Sequence, residues 1–322
     1  MTLSEMSLSY RDSAEVLRLR LIELRLARRQ CRTRKQIQAL DARIRALSPL
    51  LRQCRELAQA PLEPGAVTFL GHPDTLVLGI TPGLINTAQD RKRLLEEIGG
   101  VNRVVELPFD RQLQAMAWDA FLDMLREQYD AAGFVCGEDF RFGARGAGNA
   151  ELLSHYCRER GLPWAVVPEQ LCRGQRISST HIRRLLEQGD VEQAAEFLGH
   201  PHILTGTVIR GHQLGRRLGI PTANLALPEG LTEPRHGVYA CRVWLEGSAY
   251  AAVTNVGTRP TVDGRGITVE PWILDYSGDL YGREIRLEFL RFLRPERKFP
   301  DLDALKAEIL RNAAETRDIV KN

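Results

Sequence analysis

Three stretches of this chain space their apolar and polar residues in three different ways, and each spacing predicts its own kind of element. In residues 1 to about 60, Leu17, Leu19, Leu21, Leu24 and Leu26 interleave with Arg18, Arg20, Arg25, Arg28 and Arg29. Ile37, Leu40, Ile44, Leu47 and Leu51 then follow at spacings of three and four, which predicts helix. In residues 66 to about 199, short apolar runs at 66–70, 101–107, 133–137 and 164–168 read as strands, with 76–80 a weaker candidate. Residues 90–98 and 118–129 between them read as helices. Such alternation predicts an α/β segment around a parallel sheet, whose ligands gather beyond the carboxyl ends of the strands, where 137–143 falls. From 204 onward, Val208, Val238, Val243, Val253, Val256, Val269, Ile273, Ile285, Leu287 and Phe289 sit in short runs broken by Gly, Pro, Asp and Asn. That predicts antiparallel β closing into a barrel. Asp301, after Pro300, is placed to cap a final helix.

The predicted organisation is therefore a helical segment 1–60, an α/β domain 61–200 and a barrel domain 201–322, divided near His200-Pro201. Phe-Leu-Gly-His-Pro occurs at 69–73 and again at 197–201, but the flanks differ and no repeat is read from it. A chain of 322 residues has room for these cores. A net charge of +3 is too small to imply a polyanionic partner. No apolar run reaches the length of a membrane span, and no signal-peptide core opens the chain. The basic residues of the first segment fit a surface for RNA or anionic lipid, or simply a solvated helix face. The latter is preferred because no aromatics interleave. The six cysteines have no close pair at metal-ligand spacing, so they read as reduced thiols of a cytoplasmic protein.

Candidate chemistry concentrates at 206–224, where Gly206, Gly211, Gly215 and Gly219 surround Arg216 and Arg217 and lead into Pro221-Thr222-Ala223-Asn224. Glycine lets backbone N–H groups approach a polyphosphate, arginine neutralises it, and Thr and Asn offer the hard oxygens that Mg²⁺ prefers. The spacing is neither a Walker A loop nor a dinucleotide fingerprint. The plainer alternative is a β segment whose glycines only make turns.

This segment resembles the ATP-binding loop and Pro-Thr-Ala-Asn motif of riboflavin kinase, as found in the bifunctional bacterial riboflavin kinase/FAD synthetase family. The resemblance continues through Gly237-Val238-Tyr239, the Asn-Val-Gly-Thr-Arg-Pro-Thr run at 255–261, Val269-Glu270, Asp-Leu-Tyr-Gly at 279–282 and Leu-Arg-Pro-Glu-Arg-Lys-Phe at 293–299. It implies a cytoplasmic kinase taking riboflavin and ATP to FMN with Mg²⁺, with no membrane or nucleic-acid partner. It implies that Gly211, Gly215, Arg216, Arg217, Gly219 and Pro221 hold the nucleotide and that Thr222 and Asn224 hold Mg²⁺. Glu270 is then the base, at the end of a β run opposite the glycine loop, and Asn255, Thr258 and Arg259 lie on a loop bordering the flavin. Pro271 and Trp272 stand where the family often has a small residue and His, which leaves the flavin pocket open.

Residues 66–199 resemble the later part of the family's FAD synthetase domain, a Rossmann-like nucleotidyltransferase. The pieces that match are Val67-Thr68-Phe69 with His72-Pro73, Leu-Pro-Phe-Asp at 107–110, Gly-Glu-Asp-Phe-Arg-Phe-Gly at 137–143 and Ile-Ser-Ser-Thr-His-Ile-Arg at 177–183. The resemblance implies a remnant site of His72, Asp139, Arg141, Ser178, Ser179, Thr180 and Arg183. Ser178-Ser179-Thr180 also makes a helix N-cap. The family's Gly-Asn-Phe-Asp-Gly turn and His-x-Gly-His motif have no counterpart in residues 1–64, since the first glycine is Gly65 and the first histidine His72. Riboflavin kinase with impaired FAD synthesis is thus expected. The alternatives are full bifunctionality and a flavin-responsive RNA-binding regulator.

Overall fold

The computed structural model describes residues 63–71, 75–76, 79, 82–210, 219–261 and 264–321, together with Ala14, Leu21, Asp41 and Ser48. The helices expected over 1–60, most of the weak candidate at 76–80, His72, Gly211, Gly215, Arg216, Arg217, Cys31 and Cys54 lie outside the described residues. Two compact units emerge, Met1–Thr68 with Leu95–Pro168, and Phe69–Leu94 with Glu169–Asn322.

In the first unit, β1 (Gly65–Leu70) and β2 (Arg103–Pro108) pair, and β3 (Phe134–Gly137) and β4 (Trp164–Val167) form a separate parallel pair. Among the described residues, the expected parallel pairing is seen in β3 and β4. Helix α1 (Ala88–Glu97) begins in the second unit. Helices α2 (Arg111–Ala115), α3 (Trp118–Tyr129) and α4 (Ala150–Glu159) belong to the first. Asp110 and Asn149 cap α2 and α4 by accepting from the N–H groups of Leu113 and Leu152, both at 2.8 Å. The core of this unit is aromatic: Trp118 meets Phe142 and Tyr156 edge-on, and Phe121 packs on Phe142.

The second unit is a six-stranded antiparallel near-barrel, with strands in the order β7-β12-β9-β10-β11-β8. These are β7 (His202–Thr207), β8 (Leu225–Ala226), β9 (Gly237–Leu245), β10 (Ser248–Thr261), β11 (Gly264–Ile273) and β12 (Glu284–Arg294); the two-residue strands β5 (Leu171–Cys172) and β6 (Gln175–Arg176) form a hairpin before them. An antiparallel bridge between Ile209 and Asn224 links the segment after β7 to the start of β8. Helix α7 (Leu302–Lys321) lies on the outer face, where Ala313 packs with Val238, Val253 and Leu274. Asp301 caps it as the sequence predicts, accepting from Ala304 N–H at 2.8 Å.

Helices α5 (Ser179–Gln188) and α6 (Val191–Leu198) precede the boundary read from sequence, yet they share the barrel's core. Ile182, Leu185 and Leu186 are buried at helical spacing beside Leu204, Tyr239 and Phe289. Each such side chain stabilises the fold by roughly 1.5–3 kcal/mol. Helix α1 covers β7 on the same unit: the buried Asp90 carboxylate accepts from Thr205 N–H at 3.1 Å, and Arg93 and Gln89 both bond Glu284 at 3.1 Å.

Candidate active site

β10 and β11 run in register from Ala252↔Ile273 to Thr261↔Gly264, so Asn255 faces Glu270 across the ladder. On the other side of β11, Leu225 pairs with Val269 and Ala223 N–H donates to Pro271 O at 2.9 Å, which brings Asn224 beside Glu270. Register neighbours share a face of the sheet. Leu225, Val256 and Val269 are wholly buried in the barrel core, so Asn224, Asn255 and Glu270 line the opposite, outer face. That face also carries Val238, Val253 and Leu274, with Trp272 packed against them beside α7.

Glu270 is only 9% exposed and Asn224 only 7%. Thr268, two residues back on the same face, donates its hydroxyl to Glu270 Oε1 at 3.1 Å. Asn224 Nδ2 reaches Thr222 O at 3.5 Å, and Thr222 is half-buried while Pro221 is exposed. Gly219 has φ +73°, a backbone that favours glycine at the exit of the glycine-rich segment. A carboxylate, an amide and a hydroxyl gathered in this way can accept a proton and offer hard oxygens to a cation.

Two local expectations are corrected. Glu270 does not end its β run, because β11 continues to Ile273. Asn255, Thr258 and Arg259 do not sit on a loop, because β10 continues through them to Thr261. The glycine and proline there suggested a turn, but Pro260 and Gly257 are accommodated within the ladder, and the chain reverses beyond Thr261. Alternation along β10 puts Thr258 on the face opposite Asn255. The side chain of Arg259 lies outside the described residues.

In the first unit, Asp139 and Arg141 are exposed on the loop leaving the carboxyl end of β3, where a ligand loop was expected. Phe142 of that loop is buried under Trp118, and Gly143 packs on the Trp118 backbone with φ +71°, so the loop is anchored by its aromatic residue. In the second unit, Ser178 caps α5 by accepting from His181 N–H at 3.3 Å, and Ser179 and Thr180 are exposed in its first turn. Arg183 donates Nε–H to Gly83 O at 2.5 Å, which ties the 83–85 segment to α5. The described cysteines Cys136, Cys157, Cys172 and Cys241 are free thiols. Burial pushes Cys241 up to about 12, so it packs as a neutral core residue. No helix among the described residues is long and apolar enough to cross a membrane.

Sequence reasoning missed Thr268 and Glu296. The latter accepts from Asn255 Nδ2 at 3.2 Å from 41 residues away. For Thr268 the signal was available, since a residue two places before a strand carboxylate shares its face. Glu296 lies in the 293–299 run that carries the resemblance, but nothing local in that run points to Asn255.

Residues 198–320 match the family model described as riboflavin kinase, and residues 48–181 match the one described as FAD synthetase. The bifunctional riboflavin kinase/FMN adenylyltransferase of Escherichia coli strain K12 is 36% identical over 257 residues, covering 78% of this chain and 82% of its own length. That of Listeria monocytogenes is 29% identical over 272 residues, covering 83% and 86%. A crystal structure from Streptococcus pneumoniae, described as a macrolide-efflux protein, superposes with a TM-score of 0.70 at 30% identity, over 84% of this chain and 88% of that one.

Proposed function

From membership of the bifunctional riboflavin kinase/FMN adenylyltransferase family, to which this chain belongs, we infer that its barrel is a riboflavin kinase with Glu270 as the base. The observation that carries the assignment of the base is the row Asn224, Glu270, Asn255 on one face, across β10, β11 and the residue that leads into β8. Glu270 accepts the proton of the riboflavin 5′-hydroxyl as that oxygen bonds to the γ-phosphorus of ATP. The bond from γ-phosphorus to the β–γ bridging oxygen breaks, and ADP leaves with the electron pair. Thr268 holds the carboxylate through its hydroxyl. The amide and hydroxyl oxygens of Asn224 and Thr222 beside a carboxylate fit a hard cation, and these two residues would hold Mg²⁺, which supplies charge neutralisation to the phosphates. Gly211, Gly215, Arg216, Arg217, Gly219 and Pro221 form the nucleotide side, and Asn255 with Arg259 the flavin side. Thr258, on the other face, is the weakest member of that set.

The FAD synthetase match favours a second activity, FMN adenylylation, for which Asp139 and Arg141 are the candidate residues of the first unit and His72, Ser178, Ser179, Thr180 and Arg183 those of the second, each set taken by itself. We propose that it runs poorly, because residues 1–64 carry neither the glycine turn nor the paired histidines that neutralise departing pyrophosphate. Loss of one preorganised charge-stabilising group costs about 10²–10³-fold.

Purified chain incubated with riboflavin, ATP and Mg²⁺, with flavins separated over time, tests both statements. FMN accumulates, and FAD forms at least about 10²-fold more slowly. Absence of FMN would overturn the kinase reading, and FAD keeping pace with FMN would overturn the second.

A further inference from the structure

We propose that Glu296 is a positioning residue, whose carboxylate fixes the Asn255 amide so that its oxygen faces a hydrogen-bond donor on the flavin. The inference rests on the reading of this barrel face as the flavin side of a riboflavin kinase. Asn255 Nδ2 donates to Glu296 Oε1 at 3.2 Å. An ionised carboxylate only accepts, so the amide must turn its NH₂ toward Glu296. The amide is planar, and its oxygen is therefore presented on the other side. It can only accept, so the group it reads is a donor, a ribityl hydroxyl or the ring N–H of an isoalloxazine. Asn255 is in register with Glu270, so that donor is bound on the same sheet face as the proposed base.

Glu296 is solvent-exposed, yet its surroundings are fixed. Its carboxylate lies on Gly257, where a Cβ would collide with Oε1, which gives this glycine a reason within an otherwise ordinary strand. The loop carrying Glu296 is tied to α7. The Glu308 carboxylate, 9% exposed, pairs with Arg297 at 2.8 Å, Arg294 at 3.4 Å and Arg311. Arg294 Nε also donates to Asn312 Oδ1 at 3.1 Å, and Arg294 and Arg297 both lie over the Phe299 ring. Helix α7 thus reaches the site through the loop, Glu296 and the Asn255 amide.

Steady-state kinetics of the full chain with varied riboflavin test this. Glu296→Ala raises KM for riboflavin about tenfold, the equivalent of one hydrogen bond, with kcat within about twofold. Glu296→Gln restores part of the loss, since its amide oxygen still accepts. Gly257→Ala, which displaces the carboxylate without touching it chemically, reproduces the Glu296→Ala phenotype with an unchanged melting temperature. Combining Glu296→Ala with Asn255→Ala adds nothing to Asn255→Ala alone. An unchanged KM in Glu296→Ala, a fall in kcat instead, or additive single effects would overturn the proposal while leaving the kinase intact. A wild-type chain that makes no FMN would instead remove the reading on which it rests.

Discussion

In the barrel, Asn255 and Glu270 stand on the paired strands β10 and β11 with Asn224 just before β8, whereas in the α/β unit Asp139 and Arg141 stand on an exposed loop beyond β3. A strand register fixes which residues share a face, and the fixing comes from every ladder bond at once. A loop is held only where its own residues are anchored, here by Phe142 and Gly143 against Trp118. The same chain therefore places one set of polar groups by the ladder and another by a single aromatic plug. The first needs no ligand to hold Glu270 against Thr268.

The largest expected break in this comparison is chemical. Glu270→Gln keeps the fold and riboflavin binding but lowers kcat by about 10²–10⁴-fold; unchanged turnover would mean that the strand row is architecture alone. The next is a pair of core truncations. Leu186→Ala destabilises the barrel unit by about 2–5 kcal/mol, and Leu122→Ala takes a similar amount from the other unit. Scanning calorimetry with kinase activity followed in parallel should show activity lost early only for Leu186→Ala. Loss of activity at the same lowered temperature in both would mean that the two units do not unfold separately.

The smallest effect concerns pH. His202 at the start of β7 is fully buried and stacks on Phe289, and its Nδ1 has no partner. Burial, reinforced by His200, lowers it from 6.5 to about 4, while Asp90 pulls it upward. Between those values the unfolded chain holds a proton that the folded chain does not. Stability is therefore full above about pH 6.5 and falls as the pH drops toward 4, by up to about 3 kcal/mol. Melting temperatures measured across that window fall for the native chain, and His202→Phe flattens the part due to this ring. An equal fall in both would assign the acid sensitivity elsewhere.

Much of this was legible in the residues. Trp118–Tyr129 is helical over the span its amphipathic pattern predicts, Asp301 caps α7, and the barrel strands follow their apolar runs. Helix α4 was missed although Asn149 and the spacing of Leu153, Tyr156 and Cys157 mark it. The packing of α5 and α6 was not legible, because an amphipathic face states that it is buried and not against what. The same holds for the meeting of Asn255 with Glu296, which follows from the β10 register and from the anchoring of the loop by Glu308. Gly257 and Pro260 misled for a local reason, since both residues favour turns in isolation while a long antiparallel ladder can absorb them.

The cover that α1 gives to β7 has a practical consequence for anyone who would excise the kinase. A fragment beginning at 201 lacks Asp90, Gln89 and Arg93, so the Thr205 amide and Glu284 lose their partners, and the apolar faces of α5 and α6 leave the core with them. Bare strand amides beside exposed core are a template for a second copy of the same strand. Such a fragment would come out of the cell as aggregate, and a soluble one would have to begin upstream of Ala88.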